Sequence, residues 1–164
     1  MKSVIIVGSV RNDSNTLKVA ERLQKEGDFD IVNLLDYRIG HFDYEHQYKD
    51  DDFIALMKTI ISKYDTLVFA TPVYWYAMSG KMKVFFDRIT DLITIEKELG
   101  RQLRGKNMAV ITTSNGGNLG DDFWHPFKHS ALYLGMNFLG GEHVVNGMDS
   151  KEALQSFMDF FSQK

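Results

Sequence analysis

The sequence has no cysteine in 164 residues. Disulfides, thiolate metal centres and iron–sulfur clusters are therefore excluded by composition. Long apolar runs are also missing. After Met1-Lys2 the first run gives way at Gly8, which is too short for a secretory leader or a membrane span. No membrane span is expected, and a cytoplasmic location is the expectation. There is no basic excess: 19 lysines and arginines face 22 acidic residues, for a net charge of −3. Nucleic acid is not an expected partner, because its binders normally carry a positive field. Two nucleotide signatures are absent as well. No Gly-Lys-Ser/Thr closes the loop after Gly8, and no G-x-G-x-x-G appears there, which argues against a nucleotide hydrolase and against direct dinucleotide binding. No internal repeat or low-complexity linker interrupts the chain.

What is present is an ordinary globular composition, 44% apolar and 25% charged. It fits one domain over residues 1–164 with a real core. Short apolar runs alternate with helical periods. Residues 3–8 read as a buried strand, and Leu17, Ala20 and Leu23 recur at helical spacing from Ser14 to about Lys25, with Gly27 as the stop. Residues 29–34 read as a second strand. Residues 36–52 are polar, aromatic and acidic, a long loop of the functional or mobile kind. A helix follows through Phe53, Met57 and Ile61. A third strand covers 66–70, stopped by Thr71-Pro72, and Met82, Phe85, Ile89 and Leu92 mark the next helix. Residues 97–105 read as a charged surface connection and 108–113 as a fourth strand. Phe123, Phe127, Ala131 and Leu134 suggest a helix, with Pro126 in its first turn. A fifth strand lies in 137–145, loosened by Gly140-Gly141. Asp149-x-x-Glu152 resembles a capping box opening a last helix.

Five strands alternating with five helices imply an α/β fold, a parallel sheet covered on both faces. With right-handed crossovers, the flavodoxin-like order 2-1-3-4-5 places ligands at the carboxyl ends of the strands, where the order reverses. The loops that matter are then 9–16, 72–79 and 114–118. The first combines a helix N-terminus with Ser9, Arg11, Ser14, Asn15 and Thr16. Free backbone N–H groups and a positive dipole end favour an anion there, and the missing nucleotide signatures narrow that to a single terminal phosphate. An ordinary strand–helix turn capped by Asp13 or Ser14 is the simpler reading of this loop alone. The second places Tyr74, Trp75 and Tyr76 after a proline, rings that suit a planar ligand or a subunit interface. In the third, Gly116 and Gly117 let backbone approach a ligand closely.

Gly8-Ser9-x-Arg11-x-x-Ser14-Asn15-Thr16, together with Thr71-Pro72-Val73-Tyr74-Trp75-Tyr76-Ala77-Met78-Ser79-Gly80-x-Met82-Lys83-x-Phe85-x-Asp87-Arg88, resembles the NAD(P)H-dependent FMN reductase family of the flavodoxin-like superfamily. The resemblance implies a three-layer sandwich and a non-covalent FMN. Ser9, Arg11, Ser14, Asn15 and Thr16 would hold its phosphate. Pro72, Val73, Tyr74 and Trp75 would lie along the ring and ribityl chain, and Ser114, Asn115, Gly116 and Gly117 would close the other side. It also implies a homodimer, with the helix after Met78 as a candidate interface element. Two departures matter. The iron–sulfur branch carries cysteines after the second strand, where 36–52 has none. Flavodoxins proper have no arginine like Arg11 and a strongly acidic surface.

The function expected from this resemblance is hydride transfer from NADH or NADPH to FMN, then electron transfer to a small acceptor such as a quinone or flavin. No side chain need act as general acid or base, because the cofactor carries the chemistry. Tyr44, His46, Tyr76 and Trp124 are candidates for the acceptor pocket. The rival reading is an electron carrier or redox sensor without reductase turnover. A metal site from His41, Asp43, Glu45, His46 and the run Asp50-Asp51-Asp52 matches no ligand spacing and is not expected.

Overall fold

Side chains of residues 4–7 point alternately to the two faces of a sheet, and that alternation sets the layers. In the computed structural model, which describes residues 2–162, Val4 and Ile6 belong to one core and Ile5 and Val7 to another. The strands are β1 (Ser3–Val7), β2 (Phe29–Asn33), β3 (Thr66–Tyr74), β4 (Ala77–Met78), β5 (Asn107–Ser114) and β6 (Asn137–Val145). The helices are α1 (Asn15–Glu26), α2 (Asp52–Lys63), α3 (Gly80–Thr94), α4 (Lys97–Arg101), α5 (His125–Leu134) and α6 (Lys151–Asp159). The first core holds Phe53, Met57, Phe85, Leu92 and Phe127, so α2, α3 and α5 cover that face. The second holds Val19, Leu23, Leu154 and Phe157, so α1 and α6 cover the other.

The parallel order is β2-β1-β3-β5-β6, with β4 off this path and antiparallel to β3. Setting the two-residue β4 aside, this is the expected flavodoxin-like order. The sheet nevertheless has six strands rather than five, and the difference comes from a longer β3. Strand β3 does not stop at Ala70 but runs on to Tyr74. Its register with β1 ends at Val7–Ala70, while its pairing with β5 continues to Pro72–Thr113. Past Ala70 one flank of β3 is an edge, where a residue without an N–H is tolerated. The extension then folds back through Trp75-Tyr76 into β4.

Two further expectations are corrected. Residues 97–105 are not a bare surface connection. The short helix α4 lies there, and Leu99, Gly100 and Leu103 are buried. The capping box at 149–152 does not form. Ser150 occupies the N-cap position without a side-chain cap. Its hydroxyl instead accepts from Arg22 Nη1 at 2.5 Å, while Asp149 Oδ1 takes the Lys151 N–H. Gly140 and Gly141 are explained by close packing. Gly140 has φ +139, and a Cβ there would meet the Phe160 ring at 2.7 Å; one on Gly141 would meet the Trp124 ring at 2.4 Å.

Segment 37–51 is organised by one buried cation. Arg88 donates from Nη1 to the Gly40 carbonyl (3.1 Å) and Asp51 Oδ2 (2.5 Å). Its Nη2 donates to the Tyr48 carbonyl (3.0 Å) and Asp51 Oδ1 (3.2 Å), and its Nε to Asp91 Oδ2 (2.7 Å). His46, at φ +51, places Nδ1 3.0 Å from Asp91 Oδ1. The acidic residues Asp51 and Asp91 therefore serve to neutralise Arg88.

Candidate functional site

The carboxyl ends of β1, β3 and β5 carry the three loops singled out above, and the fold brings them together. Ser14 caps α1, its Oγ accepting the Leu17 N–H at 3.1 Å. The first-turn N–H groups of a helix have no intrahelical acceptor. Among the described residues, none accepts from those of Asn15 and Thr16. The Ser14 hydroxyl proton also remains free to donate. Thr16 and Thr113 share a hydrogen bond of 2.7 Å between their hydroxyls. One of their two protons is used in that contact, so the pair keeps one for the cleft. Ser9 is buried and accepts weakly from the Arg11 N–H at 3.3 Å.

Arg11 is less committed than the sequence suggests. Its guanidinium is exposed and donates from Nε to Asp13 Oδ1 at 3.1 Å. The hydrogen bond and charge of Arg11 hold the Asp13 carboxyl below its ordinary range. An exposed pair of this kind exchanges partners at little cost. The anion-binding capacity of the loop thus rests first on hydroxyls and backbone N–H groups, with Arg11 available.

These groups line a hollow of about 280 Å³ with Pro72, Val73, Tyr74, Ser114 and Asn115. A second hollow of about 320 Å³ adjoins it, lined by Val73, Trp75, Tyr76, Ser114, Gly116, Asn118 and Leu119. Val73 and Ser114 belong to both. Gly117 lines neither. The loop from 72 to 79 is held from below: Ser79 Oγ donates to the Gly8 carbonyl and accepts the Met82 N–H, while the Ser79 N–H bonds Thr71 Oγ1 at 3.0 Å. At its tip, Tyr74 pairs with Ala77, so Trp75 and Tyr76 form a two-residue hairpin turn. Both have positive φ, +49 and +61, the mirror-image turn that normally takes Asn-Gly. Trp75 is 95% exposed. The turn thus holds a large ring in solvent on a backbone that resists it.

Thr113 and Asn146 line the first hollow and Leu119 the second, without having been picked out by sequence, while Asn118, from the loop 114–118, lines the second. Asn146 follows β6, so the rule of strand carboxyl ends was the available signal; its amide donates to Asn115 Oδ1 at 2.9 Å. Tyr76 Oη accepts from Asn118 Nδ2 at 3.4 Å across the second hollow. His143 was also missed, with no local signal to mark it. Its Nε2 lies 2.7 Å from Ser114 Oγ, and burial pushes its pKa below the ordinary value. The other acceptor-pocket candidates lie elsewhere. Tyr44 is exposed beside Phe42, His46 bonds Asp91, and Trp124 packs on Phe123 and Gly141.

The donor set of the first hollow fits a phosphate, and the second offers apolar and aromatic walls for a flat ring. Comparison with known proteins points the same way. The model of the NADPH-dependent FMN reductase family matches residues 1–150. The chain is 29% identical over 150 residues to YwqN of Bacillus subtilis (strain 168), whose name describes an NAD(P)H-dependent FMN-containing oxidoreductase; the match covers 85% of this chain and 82% of that one. It is 24% identical over 148 residues to an NADPH azoreductase of Bacillus sp. (strain OY1-2), covering 90% and 78%. Among solved structures, the Trp repressor binding protein from Bacillus subtilis superposes with a TM-score of 0.76 at 23% identity, over 99% of both chains.

Proposed function

Because the chain belongs to the NADPH-dependent FMN reductase family, we propose that the two adjoining hollows hold FMN and that the protein reduces a small, flat acceptor at the expense of NADH or NADPH. FMN, when bound, supplies the hydride acceptor and the electron relay. The observation that carries the reading is the junction at Val73 and Ser114 of a hydroxyl- and N–H-rich hollow with an aromatic one. Ser9, Arg11, Ser14, Asn15 and Thr16 would hold the phosphate. Pro72, Val73, Tyr74 and Trp75 would flank the ring on one side and Ser114, Asn115 and Gly116 on the other, with Gly117 outside both hollows. Their work is to bind, orient and exclude water. The exposed Trp75 and Tyr76 leave an open aromatic wall where a nicotinamide and a quinone, flavin or azo compound can stack in turn.

The test is direct. Purified protein should be yellow, and steady NADH or NADPH oxidation should depend on an added acceptor. Arg11→Ala combined with Thr16→Val, which removes a hydroxyl and keeps the buried volume, should raise the FMN Kd at least about tenfold, the loss expected of one or two hydrogen bonds to a charged group. A colourless protein that ignores added FMN would sink the reading. Flavin retention with no turnover on any acceptor would make it an electron carrier instead.

The same reading includes a homodimer, with α3 in the interface. Ile93 and Ile95 at the end of α3 and Leu132 and Tyr133 on α5 are exposed together. Ile93 and Tyr133 line a hollow of about 350 Å³ between these helices. Sedimentation should give twice the chain mass, and Ile93→Glu with Tyr133→Glu should return it to the monomer.

A further inference from the structure

Ser114 belongs to both hollows, and its hydroxyl has two partners at equal distance. Oγ lies 2.7 Å from the Gly116 carbonyl and 2.7 Å from His143 Nε2. A serine hydroxyl has one proton and two acceptor positions, whereas a carbonyl only accepts. The Ser114 proton must therefore go to Gly116. If it went to His143 instead, two oxygens would face each other at 2.7 Å with no proton between them. Nε2 is then the donor of the second bond, which fixes His143 as the Nε2–H tautomer. With one acceptor position filled by His143, Ser114 Oγ has a single lone pair left and no proton to offer.

We propose that His143 is a positioning residue: by donating to Ser114 it holds the hydroxyl proton on the Gly116 carbonyl and leaves one lone pair facing the cleft, so this point of the site selects a ligand N–H over a ligand oxygen. The inference rests on the FMN reading for the identity of the ligand. The isoalloxazine ring has one N–H when oxidised, the imide, and gains another on reduction, so it meets this demand in both states. Its carbonyl oxygens do not. The arrangement does not depend on the charge of His143, because the imidazolium donates from Nε2 as well. Burial of the ring pushes its pKa below the ordinary value and so favours the neutral form, where the tautomer matters.

The device links residues that are 29 positions apart, on β5 and β6. It is backed at the strand ends by the Asn146 N–H, which bonds the Ser114 carbonyl at 2.8 Å. Ser114 is thus fixed through both its main chain and its side chain. The Gly116 carbonyl that receives its proton belongs to the turn beside the second hollow, so the same bond shapes that wall.

Two measurements test this. Nitrogen-15 spectra of histidine-labelled protein without added flavin should show His143 protonated on Nε2 and bare on Nδ1. Ser114→Ala should let the second tautomer appear. A wild-type proton on Nδ1 overturns the proposal whatever the ligand. FMN titration should then find His143→Leu weaker by about tenfold, the value of one buried hydrogen bond. His143→Gln, which keeps an N–H donor, should stay within about threefold of wild type on the same scale. The absorption band of bound flavin should shift in His143→Leu and not in His143→Gln. Equal losses in the two variants, or none in His143→Leu, overturn the proposal. A wild-type protein that binds no FMN would instead defeat the functional reading, and the nitrogen spectra would still decide the orientation of Ser114.

Discussion

Arg88 is 1% exposed among apolar side chains, with its guanidinium shared by Asp51 and Asp91 and two carbonyls. Desolvation alone would lower its pKa, but the bonds to Asp51 and Asp91 more than offset this and raise it. Likewise, burial pushes Asp51 up, while bonds from Arg88 and the Gly40 and Phe53 N–H groups outweigh it and leave the carboxyl below its ordinary range. Arg88→Met should destabilise the protein by about 3–5 kcal/mol, because it leaves two carboxylates with no cation. Urea unfolding measures this. Asp51→Asn in the same background should recover part of the loss. The pH dependence follows from the sign of the Asp51 shift. A depressed carboxyl adds stability above its unfolded value near about 4 and loses it as pH falls through the folded value. Wild-type stability should therefore decline below about pH 4, and Arg88→Met should flatten that decline. Only Asp91, three positions on, is a local partner; Arg88 stands at helical spacing with Phe85, Ile89 and Leu92, and its other partners come from a segment some forty positions away.

At the scale of elements, the hairpin β3–β4 and the start of α3 carry the informative departures. The turn Trp75-Tyr76 takes a conformation suited to Asn-Gly. Replacing the pair by Asn-Gly should stabilise the fold by about 1–2 kcal/mol through relief of two left-handed non-glycine residues. Removing both rings should at the same time raise KM for the acceptor. Gain of stability with loss of binding, read by thermal unfolding and steady-state kinetics, would mark the strain as functional. Unchanged kinetics would mark the rings as dispensable. Ser79 caps α3 and its hydroxyl donates to the Gly8 carbonyl, tying the end of β1 to a helix, while its backbone N–H bonds Thr71 of β3. Ser79→Ala should cost about 2 kcal/mol, an N-cap plus an unsatisfied buried carbonyl, and should loosen FMN through the same loop. The helical and strand runs were legible from periodicity. The run of β3 through Pro72 was not, because whether a proline is tolerated depends on which neighbouring strand has already ended. Short α4 was hidden by its charge, since Leu99 and Leu103 are too few to set a period.

For the whole molecule, the family carries FMN with NAD(P)H as co-substrate, and binding should show as global stability. A ligand that binds only the folded state at about 100 times its Kd adds about 2.7 kcal/mol. For a domain of this length that corresponds to a rise in Tm of roughly 5–10 °C. Differential scanning fluorimetry with and without FMN reads it. Riboflavin, which lacks the phosphate, should give a clearly smaller rise if the donors around Ser14 and Thr16 carry the expected share. Equal rises would remove the phosphate from the argument.

The sequence by itself determined the alternation of strands and helices, the covering of the sheet on both faces that follows from it, and the chemistry offered by each of the three loops. These depend on side-chain period, caps and residue type within a few positions, and such preferences act locally. The tertiary structure alone decided that the two hollows at these loops share Val73 and Ser114. It also paired Ser114 with His143, Thr16 with Thr113 and segment 37–51 with Arg88. The physical reason is that a hydrogen-bonding side chain has many possible partners along a chain. Only the strand order and register bring one of them to within 3 Å.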